Sequence, residues 1–330
     1  MFPHRYRYNK PIIDWEVLSV NKIHWAAAVI VSLLASPASG EDWYPSQFGA
    51  QDTLGAINHL TPSHVVEAAK LVTSGKTYAL GVETGVNSPA YPPRTYSITI
   101  LQLGDGTGTP LGTNKVTGND DLMVTWMGIG SQIDGLGHVG INHVYYNGNK
   151  AEDFVRTTGL TKLSTDKIPP IVARGVLIDM ARYFGKPILE AGTVFNRAEI
   201  EAAAKAQGIT IRKGDVVLFH TGWLNIADED AKAFMQGEPG IGIDGAAYLA
   251  KLGAVAVGSD TWGVEAMPFE NAGEFFPVHQ ELLAKNGVYI LENMDTRALA
   301  KDEAWEFLFV LGQPRFVGAV QAVINPVAIR

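Results

Sequence analysis

The sequence predicts a single α/β domain with a mixed β-sheet or barrel-like core and flanking helices. Three observations favour this class. The first half of the chain is rich in β-like runs, and the second half alternates helical and β-like patterns. In addition, 35 glycines and 17 prolines among 330 residues are more typical of a turn-rich fold than of a helix bundle.

Composition and charge exclude several classes of protein. Hydrophobic residues make up 46% and charged residues 18% of the chain, which argues against disorder, a coiled coil and a polytopic membrane protein. Because the chain has no cysteine, disulfides, thiolate zinc sites, iron–sulfur clusters and cysteine nucleophiles are excluded. A formal net charge of −8 offers no electrostatic footprint for nucleic acid.

Residues 1–40 are predicted to be a signal peptide for export. A polar, basic start leads into an apolar run over 25–35, which is too short to span a bilayer but suits the core of a signal peptide. Small residues at Ala38 and Gly40 fit cleavage after Gly40. The mature domain is then 41–330, periplasmic or secreted and without a stable membrane anchor. The alternative is a buried N-terminal helix in a cytoplasmic protein.

The first half of this domain opens with a helix and continues with strands. Thr61 is a suitable N-cap and Pro62 a suitable first helical residue, and Gly75 ends the helix. Four β-like runs follow, each bounded by turn-forming residues. They cover 77–82, 96–103, 122–127 and 171–180.

The second half alternates between the two element types. Helices are predicted over 198–207, 243–252 and 277–285, and strands over 215–220, 254–258, 288–291, 306–311 and 316–324. The glycines at 240–245 match a dinucleotide-binding pattern, but the residues before them look helical, and that motif requires a strand there. Nucleotide binding is therefore disfavoured.

A candidate ion site begins in the run 128–138. Positions i and i+2 of an extended chain face the same way, so Gln132 and Asp134 would present two oxygen ligands to one point. His138 follows after two glycines that let the backbone fold back. The alternative is a polar turn in which Asp134 caps backbone N–H groups and His138 is a packing residue.

Two residues far along the chain favour the ion site. His279 lies in the first turn of a predicted helix, and Glu292 ends an apolar strand. A carboxylate in that position costs several kcal/mol unless it is paired, hydrogen-bonded or bound to a metal. An oxygen-rich ligand set without cysteine suits Mn²⁺ or Zn²⁺ better than copper.

The run 128–138 resembles the signature H-x-G-T-H-x-D-x-P-x-H of the metal-dependent cyclase-like hydrolases, which include bacterial kynurenine formamidase and isatin hydrolase. The stretches at 88–92, 221–223, 259–262 and 326–329 are also similar to this family, so the resemblance covers about residues 75–330. The opening of the domain resembles the longer members described as cyclases. The resemblance implies a swivelling β/β/α, cyclase-like fold and a homodimer or homotetramer.

The resemblance also implies roles for individual residues. Gly128 replaces the first ligating histidine of the signature, which favours one divalent ion, Mn²⁺ or Zn²⁺, over a two-zinc site. His138 corresponds to the catalytic acid/base and Tyr91 to an aromatic residue that contacts substrate. The implied metal ligands are Asp134, His279 and Glu292, with Gln132 in the place of a histidine.

Five further residues are candidates from their positions alone. His143, His220 and Trp262 are expected to line the substrate pocket; a surface position, a strand end and the core are the respective alternatives. Asp260 and Glu265 are expected to orient the metal ligands, as residues behind a metal-binding histidine usually do. A structural turn is the alternative for both.

The sequence therefore predicts a metal-dependent hydrolase that acts on a small molecule. It would open an amide, a lactam or a related C–N bond, or an ester, with His138 moving a proton to and from an activated water. A lyase or cyclase on the same fold and a non-catalytic periplasmic binding protein are the alternatives. A serine hydrolase is disfavoured because the chain has no G-x-S-x-G.

Overall fold

The protein is built around one mixed β-sheet, as seen in a computed structural model. The structure describes residues 43–103 and 106–330, so the predicted signal peptide at 1–40 lies outside the described residues. All of these residues belong to one unit, Gly40–Arg330. Among them, no helix combines the length and the apolar character needed to cross a bilayer.

The strands are numbered in chain order. They are β1 Thr77–Ala79, β2 Tyr96–Gln102, β3 Asn119–Thr125, β4 Gln132–Asp134, β5 Val144–Tyr145, β6 Asn149–Lys150, β7 Val155–Arg156, β8 Gly159–Leu160, β9 Ile171–Asp179, β10 Val194–Phe195, β11 Val216–His220, β12 Gly240–Ile241, β13 Ala256–Ser259, β14 Tyr289–Glu292, β15 Glu306–Leu311, β16 Gln321–Val323 and β17 Val327–Ile329.

The helices are mostly short. They are α1 Pro62–Ala69, α2 Ala151–Phe154, α3 Met180–Tyr183, α4 Arg197–Ala206, α5 Leu224–Glu229, α6 Ala231–Phe234, α7 Ile243–Leu252, α8 Pro277–His279 and α9 Arg297–Lys301. In the described residues, three 3₁₀ turns cover Gly55–His59, Tyr146–Gly148 and Thr165–Lys167, and a π-helical turn, Gln280–Lys285, continues α8.

Nine of the strands in the described residues form one curled sheet in the order β1-β17-β15-β9-β11-β13-β14-β4-β16. Its centre is parallel, from β9 through β11 and β13 to β14, and β4 joins β14 in the antiparallel sense. The central strands are apolar because helices cover both faces of such a sheet. The α/β class with a mixed, barrel-like sheet and flanking helices is thus confirmed.

Helix ends follow the chemistry of the sequence. Thr61 and His64 form a capping box at the start of α1, with proline at the first helical position. Helix α7 ends at Gly253, whose φ of 86° is left-handed and is readily adopted by glycine. The predicted helix over 243–252 is therefore found with those bounds.

Several predicted strands have other bounds in the structure, and two of them differ most. The run over 122–127 becomes β3, which in the described residues pairs with β2 in an exposed hairpin outside the main sheet. The run over 316–324 shortens to β16, because Gly318 has a left-handed φ of 79° and its N–H binds the Asp166 carboxylate. The three-residue strand β17 was not predicted, since so short a run carries little periodic signal.

Candidate metal centre

The pairing of β4 with β14 brings together two carboxylates that are far apart in the sequence. In the antiparallel pair of β4 and β14, Gln132 lies opposite Glu292. Directly opposed residues of neighbouring strands are close enough for their side chains to touch. Asp134 is two residues beyond Gln132 and therefore shares its face of the sheet. All three side chains are buried.

His279 completes this cluster from α8. Its Nε2 lies 3.2 Å from Oε1 of Glu292 and 3.6 Å from Oδ2 of Asp134. In the described part of the chain, Asp134, His279 and Glu292 form a candidate metal-binding group whose ligand atoms lie within 4.8 Å of one another. These three residues, called the metal cluster below, are the ligands that the family resemblance implies.

The charges in the metal cluster depend on one another. Burial raises the pKa of Asp134, but at the low pH at which this carboxyl titrates both His138 and His279 are protonated, and their charges outweigh the effect of burial and lower the pKa. Burial and the charge of Asp134 raise the pKa of Glu292. Burial opposes protonation of His279, yet its hydrogen bonds to carboxylates raise its pKa well above the ordinary value. Two buried carboxylates this close need a positive charge between them.

The residues present fit a divalent cation. Oδ2 of Asp134 and Oε1 of Gln132 are buried and have no hydrogen-bond partner among the described residues. A buried polar atom without a partner carries a cost of about 1–3 kcal/mol. Carboxylate oxygens and an imidazole nitrogen are ligands that both Mn²⁺ and Zn²⁺ accept.

Gln132 contacts the metal cluster through its nitrogen. Nε2 donates hydrogen bonds to Oδ1 of Asp134 at 3.2 Å and to Oε2 of Glu292. In this orientation the amide bridges the two carboxylates rather than presenting the oxygen ligand that the sequence predicted. Rotation of the amide about its last torsion exchanges the two atoms.

His138 lies at the edge of the metal cluster. Its backbone N–H donates to the carbonyl of Gly135 at 3.0 Å, which folds the chain back as the two glycines predict. A Cβ on Gly137 would come within 2.5 Å of Cδ1 of Leu160, so a larger residue there would have to displace that side chain. Nε2 of His138 lies 3.9 Å from Oδ2 of Asp134, and 23% of the side chain is exposed.

The imidazole of His138 is suited to accept a proton. Burial lowers its pKa, the nearby charge of Asp134 opposes this, and the positive charges of His279 and Arg94 lower it further. A lowered pKa leaves the ring neutral at neutral pH, and a neutral imidazole is a general base.

Glu265 fixes the position of His279 through hydrogen bonds. Its carboxylate accepts hydrogen bonds from Nδ1 of His279 at 2.6 Å and from the backbone N–H groups of Val278 and His279 at 3.2 and 3.1 Å. This is the arrangement predicted for a residue that orients a metal ligand.

The contacts of Asp260 are with residues outside the metal cluster. Its carboxylate accepts hydrogen bonds from N and Oγ1 of Thr221 and from N of Gly222, at 2.6 to 2.9 Å, and it lies 3.3 Å from Nδ1 of His220. The structure therefore corrects the prediction that Asp260 orients a metal ligand. It stabilises the turn that follows β11, which is the structural alternative.

The predicted substrate-binding residues separate into two groups. Tyr91 and Trp262 form an aromatic pair with ring centroids 5.9 Å apart, and Tyr91 is 53% exposed. His220, at the end of β11, contacts Thr296 and Asp260 rather than the metal cluster. His143 is exposed in the turn next to β5 and lines a separate surface cavity. The structure thus does not bring His220 or His143 to the cluster.

Sequence reasoning did not identify three residues that interact with the metal cluster or with the segment that leads into it. Nε2 of Gln321 on β16 donates to Oδ1 of Asp134 at 2.8 Å, and Nη1 of Arg94 donates to the carbonyl of Gly128 at 2.6 Å. Glu238 is fully buried and accepts a hydrogen bond from N of Trp262 at 2.6 Å. Its neighbours Gly237 and Pro239 carry no periodic signal of burial, so only the fold could reveal it.

A cavity of about 800 Å³ has walls that include Gly130 and Asn293 but none of the three residues of the metal cluster. These residues lie next to the ends of β4 and β14, on the same segments that carry Gln132 and Glu292. Three acidic residues and one arginine also line it: Glu83, Asp228, Asp295 and Arg297.

Comparisons with known proteins agree with this fold. A solved structure described as a novel cyclase is 29% identical, with a TM-score of 0.77 over 86% of this chain and 98% of that chain. Isatin hydrolase A from Ralstonia solanacearum is 18% identical, with a TM-score of 0.60 over 82% and 98%. A "predicted metal-dependent hydrolase" from Bacillus stearothermophilus is 21% identical, with a TM-score of 0.50 over 78% and 98%.

The last two likenesses show the fold alone. The search of curated proteins found no match. The family model described as "Putative cyclase" matches residues 63–266, which is more than half of the sequence. The chain therefore belongs to the cyclase family.

Proposed function

We propose that this protein is a metal-dependent hydrolase that opens an amide, lactam or ester bond of a small molecule. The observation that carries the proposal is the buried metal cluster of Asp134, His279 and Glu292, with its ligand atoms within 4.8 Å and His138 beside it. The likeness to structures described as isatin hydrolase and metal-dependent hydrolase supports it.

The cluster would hold one Mn²⁺ or Zn²⁺ ion. Asp134, His279 and Glu292 supply three ligands, and Gln132 supplies a fourth if its amide oxygen turns inward. Gly128 has no side chain to contribute. When bound, such an ion acidifies a water and polarises the substrate carbonyl, which makes hydrolysis possible at neutral pH.

The remaining chemistry comes from the chain itself. His138, neutral at the start of the reaction, can take a proton at Nε2 from the attacking water and return it to the leaving nitrogen or oxygen. Because 23% of the His138 side chain is exposed, substrate can reach the ring. The Tyr91 and Trp262 rings form a surface against which a flat, apolar substrate can pack.

Elemental analysis and activity measurements on the purified protein test this proposal. The protein is stripped with a chelator, reloaded with Mn²⁺ or Zn²⁺, and assayed on arylformamides, lactams, lactones and esters in ¹⁸O-labelled water. We expect one ion per chain, and metal-dependent turnover that places one solvent oxygen in the product.

Variants separate the competing functions. Asp134→Asn combined with Glu292→Gln should abolish both ion binding and turnover. Asp166→Asn, which changes a buried aspartate whose carboxylate binds Gly318 and Lys167, should retain both. Turnover without solvent oxygen would favour the lyase or cyclase, and ion binding that survives the double substitution would contradict the site.

A further inference from the structure

The guanidinium of Arg94 lies against the segment that carries Gln132 and Asp134. Nη1 of Arg94 donates to the carbonyl of Gly128 at 2.6 Å, and Gly128 is buried. A Cβ on Gly128 would lie 2.5 Å from Nη1 and 2.7 Å from Cζ of Arg94. The guanidinium therefore fills the space that a side chain at position 128 would need.

This position brings the positive charge of Arg94 close to the metal cluster. A Cβ on Gly128 would also lie 3.1 Å from Oε1 of Gln321, and Nε2 of Gln321 donates to Oδ1 of Asp134 at 2.8 Å. The amide of Gln321 thus adjoins both the space that the guanidinium fills and a residue of the cluster.

The charge of Arg94 also acts on two groups of the candidate site. Burial raises the pKa of Glu292 and lowers the pKa of His138, and the charge of Arg94 acts to lower both pKa values. The guanidinium is therefore close enough to influence a metal-cluster carboxylate and the predicted acid/base together.

Arg94 has no acidic partner in the described residues. Arg174, which is half-buried like Arg94, pairs with Asp215 and Glu306. Of the five N–H donors of the Arg94 guanidinium, one on Nη1 is used at Gly128, and the described residues offer no partner to Nε or Nη2. These two nitrogens form a fork that matches both oxygens of a carboxylate.

We propose that Arg94 binds a carboxylate of the substrate, so that the bond to be opened belongs to an anionic molecule. Nε and Nη2 would hold the two carboxylate oxygens while Nη1 stays on the carbonyl of Gly128. The reaction in this inference rests on the proposed hydrolase function, whereas the carboxylate site itself rests on the contacts of Arg94.

The turn that ends at Arg94 also carries an aromatic ring. The N–H of Arg94 donates to the carbonyl of Tyr91 at 3.0 Å, and the ring of Tyr91 pairs with that of Trp262. One turn thus supplies a cation and part of a flat apolar surface. A flat ring that carries a carboxylate matches both, and we infer that the substrate is an amide, lactam or ester of this class.

Stabilisation of the oxyanion formed during hydrolysis is a different role for an arginine, and it would act on every substrate. A carboxylate site acts on anionic molecules alone. Paired probes that differ only in this charge therefore separate the two roles.

Equilibrium binding to chelator-treated protein tests the carboxylate site apart from catalysis. Chelation removes any ion that could itself hold a carboxylate. Benzoate and the uncharged benzamide are titrated by ligand-observed NMR, and wild type should bind benzoate more tightly. Arg94→Gln should weaken benzoate binding by at least about tenfold and change benzamide binding by less than about twofold.

Arg156→Gln is the matched control. The guanidinium of Arg156 also donates to backbone carbonyls, those of Glu152, Asp153 and Val155, but it is exposed and all three lie within its own segment. This variant should bind both probes like wild type.

Gly128→Ala tests the position of the guanidinium while its charge is retained. Gly128 is not among the glycines with a left-handed φ, so alanine fits the backbone there. The added Cβ would displace the end of the Arg94 side chain. We expect weaker benzoate binding, unchanged benzamide binding and an unchanged far-ultraviolet circular dichroism spectrum.

Turnover by the metal-loaded protein tests the substrate class. The ortho, meta and para isomers of formamidobenzoate are compared with formanilide, which lacks the carboxylate. Wild type should have a higher kcat/KM for at least one isomer than for formanilide. Arg94→Gln should reduce this preference by about tenfold or more, mainly through KM, and leave formanilide unchanged.

Four outcomes would overturn the proposal. Wild type could bind benzoate no more tightly than benzamide, or Arg94→Gln could bind benzoate like wild type. Arg94→Gln could also weaken both probes equally, which would assign a structural role, or slow formanilide and the formamidobenzoates equally, which would assign the oxyanion. If no amide is hydrolysed while benzoate binding still depends on Arg94, the hydrolase function fails and the carboxylate site stands.

Discussion

The carboxylate of Glu265 accepts a hydrogen bond from Nδ1 of His279 at 2.6 Å, and both side chains are buried. Because Nδ1 is engaged as a donor, Nε2 is the ring nitrogen that faces Asp134 and Glu292, and it is the one that would release its proton on binding a metal. The same carboxylate also binds the first N–H groups of α8. One residue thus fixes both the position and the tautomer of the histidine.

Substitution of Glu265 should weaken metal binding. In Glu265→Gln the charge that holds Nδ1–H is lost, and we expect the affinity for Mn²⁺ to fall by about 10- to 100-fold, the usual effect of removing such a partner. Competition with a chelator measures it. Glu281→Gln is the control, because Glu281 lies beyond His279 in the same helical segment and its carboxylate pairs with Lys285. Equal affinities for the two variants would contradict this role.

Loss of His138 should affect turnover and leave the ion in place. The ring lies 3.9 Å from Asp134 and outside the three ligand residues. His138→Gln should lower kcat by about 10²- to 10⁴-fold, the usual contribution of a general acid/base, with one ion per chain retained. His143→Gln, at an exposed histidine, should change neither quantity. If His138→Gln loses the ion, the histidine is a ligand.

Parts of the site could be predicted from local patterns. The two-residue period of a strand placed Gln132 and Asp134 on one face, and the cost of burying a charge indicated that Glu292 needs a partner. The pairing of Gln132 with Glu292, 160 residues away, could not be read from these patterns. Sheet register depends on how the whole chain packs.

The elements of the fold also separate into those that local patterns predict and those that depend on the packing of the whole chain. The helix over 243–252 and the strand over 306–311 were predicted with their observed bounds, because each has a clear periodic pattern and a clear end. The position of β3 outside the main sheet was not predicted, since an apolar strand reads alike whether it is in a core or in an exposed hairpin. Gln321 was missed because its strand reaches Asp134 only through the pairing of β16 with β4.

Asp260 offers a test of the corrected assignment. Asp260→Asn weakens the hydrogen bonds to Thr221 and Gly222, and we expect the free energy of unfolding to fall by about 1–3 kcal/mol. The affinity for Mn²⁺ should stay within about twofold of wild type, because the carboxylate does not contact the metal cluster. Urea denaturation and chelator competition measure the two quantities, with the exposed Asp244→Asn as control. A tenfold loss of affinity would restore the original prediction.

Glu238 should make stability depend on pH. Burial raises its pKa well above 4.5, and the charge of Glu292 adds to this. The folded state therefore holds a proton that the unfolded state has released, so this side chain lowers stability as the pH rises above 4.5 toward the folded-state pKa. The glutamine of Glu238→Gln does not titrate, so its contribution to stability does not change with pH in this way.

The stability of Glu238→Gln relative to wild type should consequently increase between pH 5 and pH 8. Urea denaturation of chelator-treated protein at both pH values measures it, and chelation ensures that no bound ion alters the charge near Glu292. The exposed Glu152→Gln controls for a change of net charge. If the difference between Glu238→Gln and wild type stays constant or shrinks as the pH rises, Glu238 is ionised in the folded protein, and the positive charge of His279 must then outweigh the burial of its carboxylate.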